Sequence, residues 1–346
     1  MFKNVSFRIL LIILTVSIIS IQSCGNKDDS VKKDSGKTGS SDLVKKDEKG
    51  QKANLKIAPK AGDKFRYKMT AKTVSKETSP ATKDKEVTTE QLMTYYYSQE
   101  VADVNNDGVI TFKMKYDSII ILSKGSAGGQ EQSILYNSNR KDSISSKPDF
   151  IQYNALIGQE FRLRISPLGE IYDIFELEKI HDNIFKVFGD TLSNQDKQTI
   201  KESMGSDALK SVIQNQFQKF PGREVYKDST WNFTVETNLI FFPAKNILDY
   251  KLTDIKEENG DFICTIEANL GIEFLSKEQK EKELTFKITD SQTGGKGTVV
   301  FNLSKGCIKK KETTTNITLD LKLSAKGQSA KSKQVLSTML NVDLLQ

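Results

Sequence analysis

Ile110-Thr111-Phe112-Lys113-Met114-Lys115-Tyr116-Asp117-Ser118-Ile119-Ile120-Ile121-Leu122 is the stretch whose reading decides the fold. Ile110, Phe112, Met114, Tyr116, Ile120 and Leu122 fall on one face of an extended chain, with Thr111, Lys113, Lys115 and Asp117 opposite, which is strand periodicity. At about 3.3 Å per residue such a strand spans roughly 40 Å, about twice the usual length, and so predicts a large, strongly curved sheet. Working outward, shorter alternating segments recur at Phe65-Tyr67-Met69, Phe161-Leu163-Ile165, Trp231-Phe233-Val235, Leu284-Phe286-Ile288 and Ile317-Leu319-Leu321-Leu323. One polar face per strand predicts antiparallel pairing.

The middle of the chain changes period. Over residues 175–188, Leu177, Ile180, Ile184 and Val187 recur at helical spacing, and Gly189 after Phe188 supplies a stop. Over residues 194–220, Ile200, Met204, Leu209, Val212, Ile213 and Phe217 form a second amphipathic pattern, interrupted at Gly205 and ended by Pro221. The order is strands over 60–175, helices over 176–220 and strands over 228–323. This predicts a single α+β domain, residues 55–346: a large, curved, half-barrel-like antiparallel sheet with an inserted helical segment packed on one face.

The N-terminus reads differently. Lys3 and Arg8 precede an apolar run at 9–19 broken by Thr15 and Ser17, and Ile21-Gln22-Ser23-Cys24 follows. This is the pattern of an export signal over residues 1–23, and its apolar run is well short of the roughly 20 residues that span a bilayer. Residues 24–54 hold eight Lys, six acids and no aromatic, a composition that predicts a flexible polar tether with a fully extended reach of about 100 Å.

Removing residues 1–23 takes away Lys3 and Arg8 and no acid, so the net charge of +6 falls by two. That mild balance, without a basic block interleaved with aromatics, argues against nucleic acid as a partner. Lys309-Lys310-Lys311 lies on an alternating segment and reads as a solvated edge that discourages strand pairing. Cys264 and Cys307 are an even pair compatible with a disulfide in an oxidising compartment. Phe262, Cys264 and Ile266 also share one face of a strand-like segment, where a free cysteine behaves as a small buried hydrophobe, so both states stay open.

Few residues point to chemistry. Asp103-Val104-Asn105-Asn106-Asp107-Gly108 resembles the first half of a calcium loop, but the twelfth position is Met114 where a bidentate carboxylate is needed, and Asp107-Gly108 between alternating runs is a hairpin signal. His181 is the only histidine and reads as a surface residue. No HExxH, GxSxG, CxxC or phosphate-binding glycine loop occurs, so neither enzyme activity, metal nor cofactor is expected. Tyr95-Tyr96-Tyr97 and Phe241-Phe242 are the aromatic clusters; three successive tyrosines on a strand point alternately to both faces.

Ile21-Gln22-Ser23-Cys24 resembles a lipobox, which implies acylation (palmitate) of Cys24, a mature chain beginning there and membrane attachment through its acyl chains. Lys27, Asp28 and Asp29 are similar to the signal that sends many Bacteroidota lipoproteins to the outer face of the outer membrane. Ala61-Gly62-Asp63-Lys64-Phe65-Arg66-Tyr67, Leu156-Ile157-Gly158, Pro167-Leu168-Gly169-Glu170-Ile171 and Asp228-Ser229-Thr230-Trp231 resemble Bacteroidota lipoproteins with one large uncharacterised domain. The resemblance implies an outer-membrane or cell-surface address and carries no catalytic residues. The strand, helix and strand order is also similar in architecture to the periplasmic lipoprotein carriers, whose half-open barrel is capped by helices.

Two functions follow as expectations, binding of a hydrophobic ligand first and a filled scaffold as its alternative. In the first, sheet and helices enclose an apolar cavity for a lipid or other hydrophobic ligand, lined by Phe112, Met114, Tyr116, Ile184, Phe188, Phe217 and Trp231. In the second, the same residues are ordinary core and the domain is a filled scaffold that presents a surface to a protein or polysaccharide. The discriminating feature is whether the helices fill the covered face of the sheet or leave space.

Overall fold

The computed structural model describes residues 43–345 apart from 83, 128, 129, 326 and 327. The chain enters through a hairpin, β1 (Val44–Asp47) and β2 (Gly50–Asn54), then meanders through β3 (Lys64–Thr78), β4 (Val87–Val104), β5 (Ile110–Ala127) and β6 (Gln130–Asn137). A short helix, Ile151–Leu156, leads to β7 (Glu160–Ile165) and β8 (Ile171–Phe175). Three helices follow, Glu178–Phe188, Asn194–Ser203 and Ser206–Ile213, with 3-10 turns at Gly189–Thr191 and Gln214–Gln216. Strands then resume: β9 (Glu224–Tyr226), β10 (Thr230–Leu239), β11 (Phe242–Glu258), β12 (Asp261–Phe274), β13 (Glu278–Glu281), β14 (Leu284–Asn302), β15 (Cys307–Ala325) and β16 (Gln328–Leu344).

Thirteen of these strands form one antiparallel sheet that does not close, in the order β10-β11-β12-β14-β15-β16-β3-β4-β5-β7-β8, with β13 beside β14 and β6 beside β5. The expected fold is therefore the observed one: a large antiparallel sheet with a few helices. β16 joins the two halves, pairing with β15 on one side and with β3 on the other from Lys333↔Thr78 to Leu344↔Tyr67. β1, β2 and β9 make a separate three-stranded sheet.

Three boundaries differ from the sequence reading. The folded chain begins before residue 55, because Val44 and Ala53 pack on the core while Lys52 Nζ meets Glu224 at 2.9 Å and the Tyr226 hydroxyl donates to Asp47 at 2.7 Å. β16 lies beyond the last strand expected, its first half being too polar to announce itself. In β5 the face changes after Tyr116: Tyr97 pairs with Tyr116 and Tyr96 with Ser118, so Asp117 is the extra residue of a bulge. Ile119 and Ile121, rather than Ile120 and Leu122, then share the buried face with Phe112, Met114 and Tyr116.

The turn at Asp103 to Gly108 holds its oxygens for the backbone. Asn105 Oδ1 accepts from the amides of Asp107 at 3.0 Å and Val109 at 2.9 Å, and Gly108 takes φ +77°. The loop is a β4–β5 connection, as its hairpin signal implied.

One face of the sheet carries the main apolar core, continuous from Phe65 and Tyr67 through Tyr97, Met114, Phe161, Leu248, Ile266 and Val342. A second cluster, including Leu239, Phe242, Phe286, Ile288, Leu319 and Leu321, lies where the tips of β10 and β11 meet β14 and β15. The opposite face is a field of exposed ion pairs such as Lys64 with Glu100 and Lys72 with Glu90, each contributing little to stability. Among the described residues no helix is long and apolar enough to cross a membrane, which says nothing about strands.

Candidate functional site: the covered face of the sheet

Alternation along β3, β4 and β5 turns four tyrosines to the same side, where Tyr67 stacks on Tyr97 at 5.3 Å and Tyr116 lies 5.9 Å from Tyr97 and 5.8 Å from Tyr95. Tyr96, between them in sequence, points to the other face. Phe112, Met114, Phe161 and Leu163 continue the surface, all buried. The result is an extended aromatic face, and burial holds its phenols neutral: Tyr67, Tyr95 and Tyr97 are raised well above 10 and Tyr116 is pushed up to about 12.

Residues 206–220 cover it. Phe217 packs 5.9 Å from Phe112, and Phe220 lies 4.7 Å from Phe301. Polar side chains then fix the segment in register. Gln214 Nε2 donates to the Gly169 carbonyl at 2.8 Å and its Oε1 accepts from the Ile171 amide at 3.3 Å. Gln216 Nε2 donates to the Tyr116 hydroxyl at 3.0 Å, and the Phe220 amide donates to the Leu168 carbonyl at 2.9 Å. Gly169, at φ +86°, allows the approach: a Cβ there would collide with the Gln218 carbonyl.

Lys311 completes the clasp. The lysine run was expected at a solvated edge, but β15 is an interior strand paired on both sides, and alternation turns Lys311 inward while Lys310 stays exposed. Its Nζ donates to the carbonyls of Asn215 at 3.1 Å and Phe217 at 2.9 Å. Burial pushes its pKa down to about 8, because those neutral carbonyls compensate the lost hydration only in part. The clue missed in the sequence is phase: Lys311 is in step with Ile317, Leu319 and Leu321 along β15, the same face that is buried.

Space between insert and sheet is small. A void of about 20 Å³ remains, bounded by residues that include Phe65, Gln99, Phe112, Gln216 and Phe217, room for about one water molecule. Of the seven residues expected to line a cavity, Phe112, Met114, Tyr116, Ile184, Phe217 and Trp231 are buried in close packing, Phe112 and Phe217 against each other. Trp231 stacks on Tyr250 at 5.7 Å, away from the void. Phe188 is not with them: it is the last residue of its helix and is 38% exposed. His181, expected at the surface, is half-buried between helices, with Nε2 3.4 Å from the Met204 carbonyl oxygen.

The two cysteines are buried free thiols. Cys264 pairs with Phe301 of β14, and Ile308 lies on the far side of Phe301, so β14 separates the cysteine strands. Two strand spacings are roughly 10 Å, beyond the Cα separation of about 7 Å that a bridge tolerates, which excludes the disulfide considered from sequence. Burial pushes both thiols up to about 12, so neither is a ready nucleophile. Among the described residues no group of three or more His, Cys, Asp or Glu could hold a metal. Cys24 and the Lys27, Asp28 and Asp29 signal lie outside the described residues.

The sequence motifs that carry the resemblance prove to be turns. Gly62, Gly158, Gly169 and Asp228 all have positive φ, and each sits beside the start of a strand.

No curated protein matches the chain. Among solved structures it is similar to one described as "Lipid-protein interactions in lipovitellin", at 10% identity and a TM-score of 0.44, over 83% of this chain and 25% of that one. The chain thus spans about a quarter of lipovitellin's length. It is also similar to Pseudomonas aeruginosa OccK7 (OpdD), at 6% identity and a TM-score of 0.22 over 82% of this chain and 100% of that one. For Pseudomonas aeruginosa OpdQ the values are 4%, 0.20, 82% and 100%. Residues 107–308, more than half of the chain, match a described family, and the protein belongs to that family of unknown function, DUF6263.

Proposed function

We propose that this protein is a lipid-anchored, non-enzymatic lipoprotein of the outer membrane, of the Bacteroidota kind, displayed at the cell surface through acyl chains on Cys24. Its folded domain serves as a filled scaffold that presents its outer surface to a protein or polysaccharide partner. The observation that carries the scaffold reading is the insert, which packs against the tyrosine face down to a void of about 20 Å³; a larger hollow of about 340 Å³ lies over β12, β14 and β15, where charged side chains such as Glu267, Lys296 and Glu312 line it and no residue of the insert does. The lipobox-like Ile21-Gln22-Ser23-Cys24 supports the anchor.

A second reading is favoured by the polar nature of the clasp. Residues 214–217 are held to the sheet by Gln214, Gln216 and Lys311, and under them lies an aromatic face that a hydrophobic ligand would occupy if the segment moved aside. Native mass spectrometry of protein taken from the producing cell separates the two. A bare polypeptide mass, apart from acyl groups on Cys24, is expected; a discrete, solvent-extractable lipid would overturn the filled scaffold in favour of the ligand carrier. For the anchor, Cys24→Ala is expected to release the protein from membranes, and membrane fractionation unchanged from the native protein would overturn it.

A further inference from the structure

The β10–β11 connection is a two-residue hairpin turn between the paired Leu239 and Phe242, and its two central residues are Ile240 and Phe241. Ile240 takes φ +63°, whereas Phe241 keeps a negative φ. A positive φ at the first central position alone is the pattern of a type II′ turn, where glycine is the favoured residue and a β-branched one is an outlier. Both side chains are also exposed, Ile240 by 45% and Phe241 by 37%. The turn is therefore unfavourable twice, in its backbone and in its solvation, and one substitution to glycine would relieve both.

The tip is held firmly. The Phe241 ring lies 4.7 Å from Phe242 and 4.5 Å from Phe286 of β14. The Leu275 amide donates to the Pro243 carbonyl at 2.9 Å, which sets Leu275, 50% exposed, next to the turn. Leu239-Ile240-Phe241-Phe242-Pro243 carries no charge. Three half-exposed apolar side chains thus stand at the same end of β10, β11 and β12.

Their combined apolar area is on the order of 200 Å². A stable protein partner covers about 800 Å² on each side and surrounds such a centre with a broad complementary surface, so this tip is too small to be a protein interface by itself. A lipid bilayer needs no matched surface, because acyl chains close around any protruding apolar group and every buried apolar area contributes. We infer that Ile240, Phe241 and Leu275 form a wedge that enters the acyl region of a membrane, giving the folded domain its own point of contact with lipid.

The test places a reporter at the tip of the full-length protein. Trp231 is the only tryptophan and is buried, so Phe241→Trp adds one exposed reporter above an internal control. With phosphatidylcholine vesicles carrying brominated acyl chains, emission from position 241 is expected to be quenched while that of Trp231 is retained. Ile240→Gly in the same background is expected to raise the melting temperature and weaken the quenching. Emission at position 241 equal in brominated and unbrominated vesicles, with the fold intact by circular dichroism, would overturn the wedge. The same holds if Ile240→Gly and Leu275→Ser together leave the quenching unchanged. The readout is local to the tip, so attachment through acyl chains on Cys24 that leaves position 241 outside the acyl region does not produce it.

Discussion

Lys311 Nζ donates to the Phe217 carbonyl at 2.9 Å, joining the middle of the sheet to the middle of the insert. An ammonium buried without a carboxylate is costly, yet without it two inward-facing carbonyls would lose their donor. Lys311→Met is expected to lower stability by about 2 kcal/mol at pH 7. It should also speed amide exchange across residues 206–220 more than in the sheet. Uniform acceleration would show that the lysine is not specific to the insert.

The same lysine predicts a pH profile. Its folded pKa of about 8 lies below the ordinary 10.5, so between these values the unfolded chain holds a proton that the folded chain has released, and stability rises with pH. Cys264 and Cys307 act in the opposite direction: raised from 9.0 to about 12, they make stability fall as the unfolded thiols ionise around pH 9. From pH 8 to 9 the lysine should add about 1 kcal/mol in urea unfolding while the two thiols together remove about 0.7, leaving a net gain of a few tenths in the native chain. Lys311→Met should lack that gain, and equal slopes in the two proteins would refute the assignment.

Gly169→Ala should destabilise by more than about 2 kcal/mol, since alanine there meets both a left-handed backbone and the Gln218 carbonyl. Gly62→Ala provides the comparison, with a positive φ and open space around it. Chemical denaturation of both variants separates conformational strain from the collision. Equal losses would mean that the insert does not press on Gly169.

Phe112→Ala should cost about 3–5 kcal/mol by opening a hole between β5 and the insert, whereas Phe188→Ser should change stability by less than about 0.5 kcal/mol. Thermal unfolding of the pair checks that the two phenylalanines, grouped by sequence, differ in environment.

Iodoacetamide at pH 8 should leave Cys264 and Cys307 unmodified in the folded protein and alkylate both after unfolding without a reductant. Alkylation that requires prior reduction would reveal a bridge and contradict the strand spacing.

The sheet was legible because period-2 alternation is a local signal, and the insert because 3.6-residue spacing survives in Ile180 and Ile184. Three features were not. The bulge at Asp117 depends on a partner strand that sequence does not name, so Ile120 and Leu122 were set on the wrong face. Lys311 looks like its exposed neighbour Lys310 until its phase is tied to Leu319. The state of the covered face depends on how residues 214–218, a run of glutamine and asparagine around Phe217, fold back onto it; the helical pattern was carried through them to Pro221, whereas the helix ends at Ile213 and the rest is a plug.

The pairing of β16 with β3 has a consequence for biogenesis. Strands β3 to β8 can zip together as soon as they are made, and so can β10 to β15, but the seam between the halves needs a strand more than 250 residues along the chain from its neighbour. Such a long closure is slow, and the half-sheets expose unpaired edges until it happens. Until β16 is made the chain holds two open meanders, and a single late strand turns them into one sheet.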